Sequence, residues 1–162
     1  MKNLIARQFR FLAVLAAIAC VTGPVEAASA TMRAASERLI EKAGQASDQD
    51  KARKLLEQAL VADPSNTKAI SGLGEHYVVA GKPAVARKYF NNALMVDPSD
   101  VRALSGLAQL DLADGKRSAA EERYIILKTV CATCSETRAL GAKLNAMPNA
   151  SPTDKPSPMD KQ

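Results

Sequence analysis

Apolar residues recur every three or four positions through the middle of the chain. Ile70, Leu73 and Tyr77 form one such series, and Leu104 and Leu107 form another. This spacing places the apolar side chains on one face of an α-helix, whereas a half-buried strand would alternate them. The series are separated by Gly, Pro and Asp residues, which end and begin helices. The pattern predicts helices near residues 32–46, 49–62, 67–80, 83–96, 101–114, 117–130 and 134–146.

Two motifs predict how the last of these helices begin. Ser118-x-x-Glu121 and Thr133-x-x-Glu136 both have the spacing of a capping box. In a capping box, a hydroxyl and a carboxylate satisfy the free N–H groups of the first helical turn.

A stretch of sixteen residues occurs twice. Residues 59–74 and 93–108 are identical at nine of sixteen positions, at an offset of 34 residues. Stacked copies of one structural unit explain such self-similarity, and a period of 34 is typical of a helical hairpin.

The middle copy resembles the tetratricopeptide repeat (TPR), with Ile in place of the usual Trp. The positions that carry the resemblance are Ile70, Leu73, Gly74, Tyr77, Ala86, Phe90 and Pro98. The third copy departs from the pattern, because Asp111 stands where an aromatic residue is expected and Ala132 replaces the closing Pro. The first copy keeps Ala52, Leu56 and Pro64.

The resemblance implies an all-α fold, a TPR-like α-solenoid over residues 28–146. It would contain about three hairpins, near 33–66, 67–100 and 101–134. Leu140 and Leu144 lie four residues apart and predict a capping helix, residues 134–146, that covers the exposed end of the stack.

The resemblance also implies a partner-binding groove, because the first helix of each TPR hairpin lines a concave face. The residues that it places there are Glu37, Glu41, Lys68, Ser71, Glu75, Val78, Arg102, Ser105, Gln109 and Leu112. Lys68 and Arg102 lie one period apart and would stack as neighbouring cations, able to receive an acidic group or a C-terminal carboxylate of a partner peptide. A solvated helix face is the alternative interpretation.

The groove differs from that of TPR proteins that bind chaperone C-termini. Those proteins use a Lys/Asn carboxylate clamp, whereas Glu37, Ser71 and Ser105 occupy the relevant positions here. This difference argues against a chaperone C-terminus as the partner.

The N-terminus has the three-part layout of a secretory signal peptide. Residues 1–10 carry three cations and no acid, and residues 11–21 are uncharged and followed by Pro24. We expect residues 1–27 to be removed by cleavage after Ala27, with cleavage after Ala30 as the alternative. An apolar run of this length is shorter than the roughly 20 residues that a membrane-spanning helix needs. The protein is therefore predicted to be periplasmic or secreted, without an integral membrane span.

A second hypothesis for the N-terminus is a lipid anchor. Ala17-Ile18-Ala19-Cys20 resembles the lipobox at which bacterial lipoproteins are cleaved and acylated at the cysteine. Ala17 departs from the pattern because Leu is usual there. A membrane-anchored lipoprotein carrying its lipid on Cys20 is therefore the alternative localisation.

The C-terminal residues 147–162 contain four prolines together with Ser, Asp and Lys. Such a composition offers too little apolar surface to offset the entropy lost on ordering, so a disordered tail is predicted.

The net charge and the absence of catalytic motifs argue against two classes of function, nucleic-acid binding and catalysis. The net charge of +5 includes Lys2, Arg7 and Arg10 of the leader against Glu26, which leaves 19 basic and 16 acidic residues, or +3. This modest balance weakens a nucleic-acid interpretation. The sequence contains none of the G-x-S-x-G, H-E-x-x-H or G-x-x-x-x-G-K-[ST] motifs, and we expect no enzyme activity and no cofactor.

Cysteine and histidine suggest a disulfide rather than a metal site. Cys131 and Cys134 lie between the last repeat and the capping helix, and export would favour a structural disulfide between them. A redox-active pair is the alternative, although it normally follows a strand. A structural zinc site needs four ligands. After cleavage of the leader, the Cys and His residues that remain are Cys131, Cys134 and His76, which is one too few.

These observations predict an exported scaffold or adaptor that binds a protein or peptide partner in the cell envelope. A thiol-disulfide accessory protein using Cys131 and Cys134 is one alternative. A lipid-anchored assembly factor of pilus or secretion type is another.

Overall fold

The structure is a computed structural model that describes residues 23–147, with side chains from residue 29 onward. In this part of the chain it contains seven α-helices and no β-strand. They are α1 (Gly23–Gln45), α2 (Gln49–Ala62), α3 (Thr67–Val79), α4 (Pro83–Val96), α5 (Val101–Ala113), α6 (Arg117–Val130) and α7 (Ser135–Ala146). The predicted leader up to residue 22, including Cys20, and the predicted tail from residue 148 lie outside the described residues.

The helices pack as three successive hairpins, α1 with α2, α3 with α4 and α5 with α6. The first helices of neighbouring hairpins also touch, since α3 contacts both α1 and α5, and α7 packs against α5 and α6 at the end of the stack. The all-α solenoid predicted from the sequence is confirmed. Among the described residues, none of the helices is long and apolar enough to cross a membrane.

The turns between hairpins repeat the same hydrogen bonds one period apart. The carboxylate of Asp63 accepts bonds from the backbone N–H and the hydroxyl of Ser65, and that of Asp97 does the same with Ser99. Each Asp therefore stabilises its own turn through local hydrogen bonds.

Both predicted capping boxes are wrong. Lys116 occupies the N-cap of α6, so Ser118 already lies inside the first turn. Cys134 occupies the N-cap of α7, which leaves Thr133 outside the helix. In α6 the cause is the preceding glycine turn, since Gly115 has a φ of 76° and ends α5 so tightly that the next helix starts two residues later.

The core is built around Phe90, which is fully buried on α4. Two glycines face its ring: a Cβ on Gly74 of α3 would lie 2.6 Å from the ring, and one on Gly106 of α5 would lie closer still. Ala86 and Ala93 on α4 are likewise fully buried. Small residues thus let three helices meet around one aromatic side chain.

An ionic cluster occupies two positions of the last hairpin that lie one period after Tyr77 and Tyr89. Asp111 is buried and accepts hydrogen bonds from Arg87 of the preceding hairpin, at 2.7 Å, and from Arg123 of its own hairpin. Arg87 also donates to Asp114 at 2.6 Å. The carboxylate that departs from the repeat pattern is therefore paired on both sides.

Candidate functional site

A cavity of about 400 Å³ opens between α3, α5 and α7. Its residues are Glu75, Val78, Val79, Phe90, Arg102, Ser105, Gly106, Gln109, Leu110, Ala113, Glu136 and Lys143. Most of the exposed lining is apolar, and Val79 keeps 71% of its surface exposed. The cavity therefore has room and apolar surface to bury aliphatic groups of a bound molecule.

A second cavity of about 270 Å³ lies between the first hairpin and α3. Ile40 and Ala43 of α1, Leu56 of α2 and His76 of α3 contribute to its lining. Its surface is more evenly divided between polar and apolar atoms than that of the first cavity.

The two cavities adjoin, because Glu75, Val79 and Arg102 line both of them. We call the pair of cavities the groove, and these three residues its shared wall. The groove lies along the first helices of successive hairpins, where the resemblance placed it, and it also includes residues of α7, which the resemblance did not include.

Four of the six predicted partner-binding residues meet in the larger cavity: Glu75, Arg102, Ser105 and Gln109. Lys68 and Ser71 are not part of either cavity lining. Ser71 is fully buried, and its hydroxyl donates to the backbone carbonyl of Thr67 at 2.8 Å. It therefore contributes to helix packing rather than to an open surface.

Lys68 is paired with an acid of the preceding hairpin. Its ammonium group donates to the carboxylate of Glu37 at 3.0 Å, and both side chains are at least half exposed. The hydrogen bond from Lys68 is the largest influence on Glu37 and lowers the pKa of its carboxyl group. Because exposed pairs of this kind contribute about 0–1 kcal/mol, a partner could displace Glu37 at small cost.

Arg102 also faces an acid, but at a longer distance. Its guanidinium lies 3.7 Å from the carboxylate of Glu75. The side chain of Glu75 is about half exposed, yet the groove walls around it reduce its hydration. This desolvation raises the pKa of Glu75, and attraction to Arg102 offsets it in part.

The far end of the groove is closed by α7. Lys143 donates to the side-chain carbonyl of Gln109 at 2.9 Å, and Gln109 donates weakly to the buried Ser105. The pKa of Glu136 is lowered by a hydrogen bond from its own backbone N–H and by another from the Ser135 hydroxyl.

Glu136 and Lys143 are groove residues that the sequence interpretation missed. They lie one period after Arg102 and Gln109, so α7 stands where the first helix of a fourth hairpin would stand. Extending the 34-residue period past the last full repeat would have identified both.

His76 lines the smaller cavity and packs edge-on against Tyr77 at 5.3 Å between ring centroids. Its buried Nδ1 atom has no hydrogen-bond partner among the described residues. Within the same part of the chain, no group of three or more His, Cys, Asp or Glu side chains is arranged to hold a metal ion.

Cys131 and Cys134 lie close enough for a disulfide, with their Cα atoms 5.5 Å apart. Cys131 caps the C-terminal end of α6, whereas Cys134 is the N-cap of α7. A thiolate is disfavoured at the negative end of a helix dipole. This placement of Cys131 suits a structural bridge better than a nucleophile.

No family model matches the chain, and a search of curated proteins finds no match. Comparison with solved structures does find matches, and TPR domains are among them. The Sgt2 TPR domain from Aspergillus fumigatus superposes with a TM-score of 0.59 at 21% sequence identity, covering 76% of this chain and 91% of that one.

Two other similar structures contain peptides. The Yersinia enterocolitica type III secretion chaperone SycD, in complex with a peptide of the translocator YopD, has a TM-score of 0.56 at 20% identity, covering 67% of this chain and 86% of SycD. The second TPR domain of human RPAP3, in complex with an HSP70 peptide, has a TM-score of 0.59 at 13% identity, covering 74% and 99%. The described part of this chain therefore has the tetratricopeptide-repeat fold that its 34-residue period predicts.

Proposed function

We propose that this protein is an interaction scaffold that holds a peptide segment of a partner protein in the groove. The supporting observation is the pair of adjoining cavities, whose walls leave aliphatic groups such as Val79 exposed between charged side chains. Binding pockets typically combine an apolar lining with a few polar groups that fix orientation. That SycD and RPAP3 were solved with peptides supports the same role here.

Photo-crosslinking in the organism from which the chain comes tests this proposal. A photoreactive phenylalanine analogue at Val79 should form a crosslinked species with a partner chain, which mass spectrometry then identifies. Val61 on α2 is the matched control, because it is also a valine, is 85% exposed and lies outside the groove. The proposal fails if Val79 gives no adduct, or if Val61 gives the same adduct in equal amount.

We further propose that the scaffold works in the bacterial cell envelope after removal of residues 1–27. The basic and apolar layout of the N-terminus and the Cys131–Cys134 pair support this setting, since disulfides persist in oxidising compartments. Mass spectrometry of the exported protein should find Ala28 at its N-terminus. A lipid on Cys20, together with membrane fractionation that Cys20→Ala abolishes, would instead support the lipoprotein alternative.

A further inference from the structure

The part of the chain that the structure describes ends beside the groove. Helices α5 and α7 run in the same direction, because Glu136 interacts electrostatically with Arg102 near their N-terminal ends and Lys143 donates to Gln109 further along. Met147 follows α7 directly and is 38% exposed. It therefore lies at the same end of the groove as the C-terminal end of α5.

Three exposed residues mark this end of the groove. Val79 is the last residue of α3, Ala113 is the last residue of α5, and Met147 follows α7, each one 34-residue period after the one before. Val79 and Ala113 line the larger cavity, and Val79 lines the smaller one as well. The Arg117 guanidinium donates to the carbonyl of Met147 at 3.0 Å. Residues 148–162, which we call the tail, thus continue from the edge of the groove.

The tail is long enough to cross both cavities. Neighbouring helices pack about 8–10 Å apart, so the path from α7 over α5 and α3 to α1 measures about 24–30 Å. The tail has fifteen residues, four of them proline, a composition that favours the polyproline II conformation. Because that conformation advances about 3.1 Å per residue, about ten residues cover the path.

The tail sorts by chemistry when it is arranged with the three-residue period of a polyproline II helix. One edge carries no charge and consists of Ala150, Thr153, Pro156, Met159 and Gln162. The two acids share a second edge and the two bases share the third, namely Asp154 with Asp160 and Lys155 with Lys161. The uncharged edge can therefore face an apolar surface while all four charges stay in water.

The groove suits a segment of this kind. The exposed lining of the larger cavity is mostly apolar. The charged residues of the lining balance in both cavities: Glu75 and Glu136 against Arg102 and Lys143 in the larger one, and Glu75 against Arg102 in the smaller one. The side chains of the tail likewise carry no net charge. Apolar contact rather than an ion of either sign would hold the tail in place.

We infer that the tail folds back into the groove of its own chain, with the uncharged edge of residues 150–159 against the apolar lining, so that a partner has to displace it. The displacement rests on the proposed function, whereas the fold-back does not. A segment tethered to its site has an effective concentration in the millimolar range. Even a millimolar affinity would therefore fill the groove about half of the time.

Photo-crosslinking in the purified full chain tests the fold-back. A photoreactive phenylalanine analogue at Val79 should react with the tail, and mass spectrometry of the digested protein should find the adduct within residues 150–159. The yield should stay constant when the protein is diluted, because the reaction occurs within one molecule. Val61 is the matched control, since it is exposed and lies outside both cavities, and it should give far less of this adduct.

Two double variants of the tail test which edge faces the groove. Pro156→Glu/Met159→Glu places two charges on the uncharged edge and should lower the adduct from Val79 at least about fivefold, because an apolar lining disfavours unpaired charges. Ser151→Glu/Ser157→Glu adds the same two charges to the acidic edge. It should leave the adduct within about twofold of the wild type, because that edge stays in water.

The outcomes separate the inference from the proposed function. The inference is overturned if Val79 gives no adduct with the tail, if Val61 gives as much of it, or if both double variants lower it alike. An adduct between two chains that disappears on dilution would also overturn it, since the occupant would then be a second copy. The scaffold role is decided separately, by the partner adduct in the organism.

The displacement has its own measurement. In the organism, Pro156→Glu/Met159→Glu should increase the partner adduct from Val79, because the tail no longer competes for the groove. A partner adduct of unchanged amount would show that the tail does not regulate access to the groove.

Discussion

Two contacting positions of the hairpin hold an aromatic pair in the middle repeat and an ion pair in the third repeat. In the middle hairpin, Tyr77 stacks on Tyr89 with ring centroids 5.3 Å apart. One period later the same positions hold Asp111 and Arg123, which form an ion pair, so a change at one position is matched at the other. The carboxylate is tolerated in the core because Arg87 pairs with it as well.

Removing the carboxylate of Asp111 should lower the stability of the folded chain. Asp111→Ala leaves Arg87 and Arg123 partly buried without their shared partner, so we expect the free energy of unfolding to fall by about 3 kcal/mol. Urea denaturation measures the change. Asp114→Ala is the control, because Asp114 is 44% exposed and its pair with Arg87 should contribute less than about 1 kcal/mol.

Replacing the Asp111–Arg123 ion pair by two tyrosines, as in the middle hairpin, should restore stability. The double variant Asp111→Tyr/Arg123→Tyr is expected to be at least about 1 kcal/mol more stable than the sum of its single variants predicts, since residues in contact are coupled. Strict additivity would show that the two positions do not act as a pair.

Glu75 should lower the stability of the folded chain at neutral pH, because its carboxylate is partly desolvated. Its pKa is raised from 4.5, chiefly by desolvation, so the folded chain holds this proton more tightly than the unfolded chain does. Its contribution therefore falls as pH rises from about 4.5 through the raised pKa. At pH 7 we expect Glu75→Gln to be more stable than the wild type by less than about 1 kcal/mol, because the side chain is half exposed.

The measurement is urea unfolding of the wild type and Glu75→Gln at pH 4 and pH 7. The advantage of the variant should be present at pH 7 and shrink towards pH 4. A variant that is less stable at pH 7 would mean that the pair with Arg102 outweighs desolvation.

At the scale of elements, the approach of α3, α4 and α5 depends on the space around Phe90. A Cβ on Gly106 would overlap the Phe90 ring, and the ring cannot withdraw because Gly74 faces it as well. We expect Gly106→Ala to lower the free energy of unfolding by about 2–3 kcal/mol through overpacking.

Gly44→Ala is the matched control for this prediction. Gly44 lies in α1, and a Cβ there would meet nothing within 4 Å. The same substitution should therefore stabilise the protein by about 0.5 kcal/mol, because Ala loses less backbone entropy in a helix. Thermal or urea unfolding of the two variants should change in opposite directions, and equal effects would exclude the packing explanation.

The helices were largely predictable because each is bounded by a local signal and the signals repeat every 34 residues. The bounds of α2, α4 and α6 match the prediction, and those of α3, α5 and α7 differ from it by one residue at one end. The start of α1 was placed nine residues too late, because the helix continues upstream into residues that were assigned to the leader and its cleavage region.

The sequence placed four of the six predicted groove residues in the larger cavity, but it did not show how their charges pair. The TPR resemblance implied that the first helix of each hairpin lines the groove, and it placed Glu75, Arg102, Ser105 and Gln109 on that face. Whether charged side chains of neighbouring hairpins form ion pairs depends on how far each side chain reaches across the boundary between the hairpins. The 34-residue period does not determine this. The bond from Lys68 to Glu37 and the pairing of Arg102 with Glu75 thus became visible through the fold.

At the scale of the molecule, stability should vary along the stack. Each hairpin contacts its neighbours, and α7 at the end packs against α5 and α6. In such quasi-one-dimensional folds a local change is felt mainly by adjacent units. Cys131 and Cys134 lie on the connection between α6 and α7, and the Thr137 hydroxyl donates to the carbonyl of Cys131 at 2.7 Å across the same corner.

Loss of the cysteine pair should therefore loosen α7 without unfolding the rest. In Cys131→Ser/Cys134→Ser we expect hydrogen exchange to show the opening free energy of α7 reduced by up to about 2 kcal/mol, because the closed loop is short. The amides of α3 serve as the internal reference and should change by less than about 0.5 kcal/mol. Because α7 supplies Glu136 and Lys143 to the groove, peptide binding should weaken with it. Equal loss of protection in α3 and α7 would instead show that the stack unfolds as one unit.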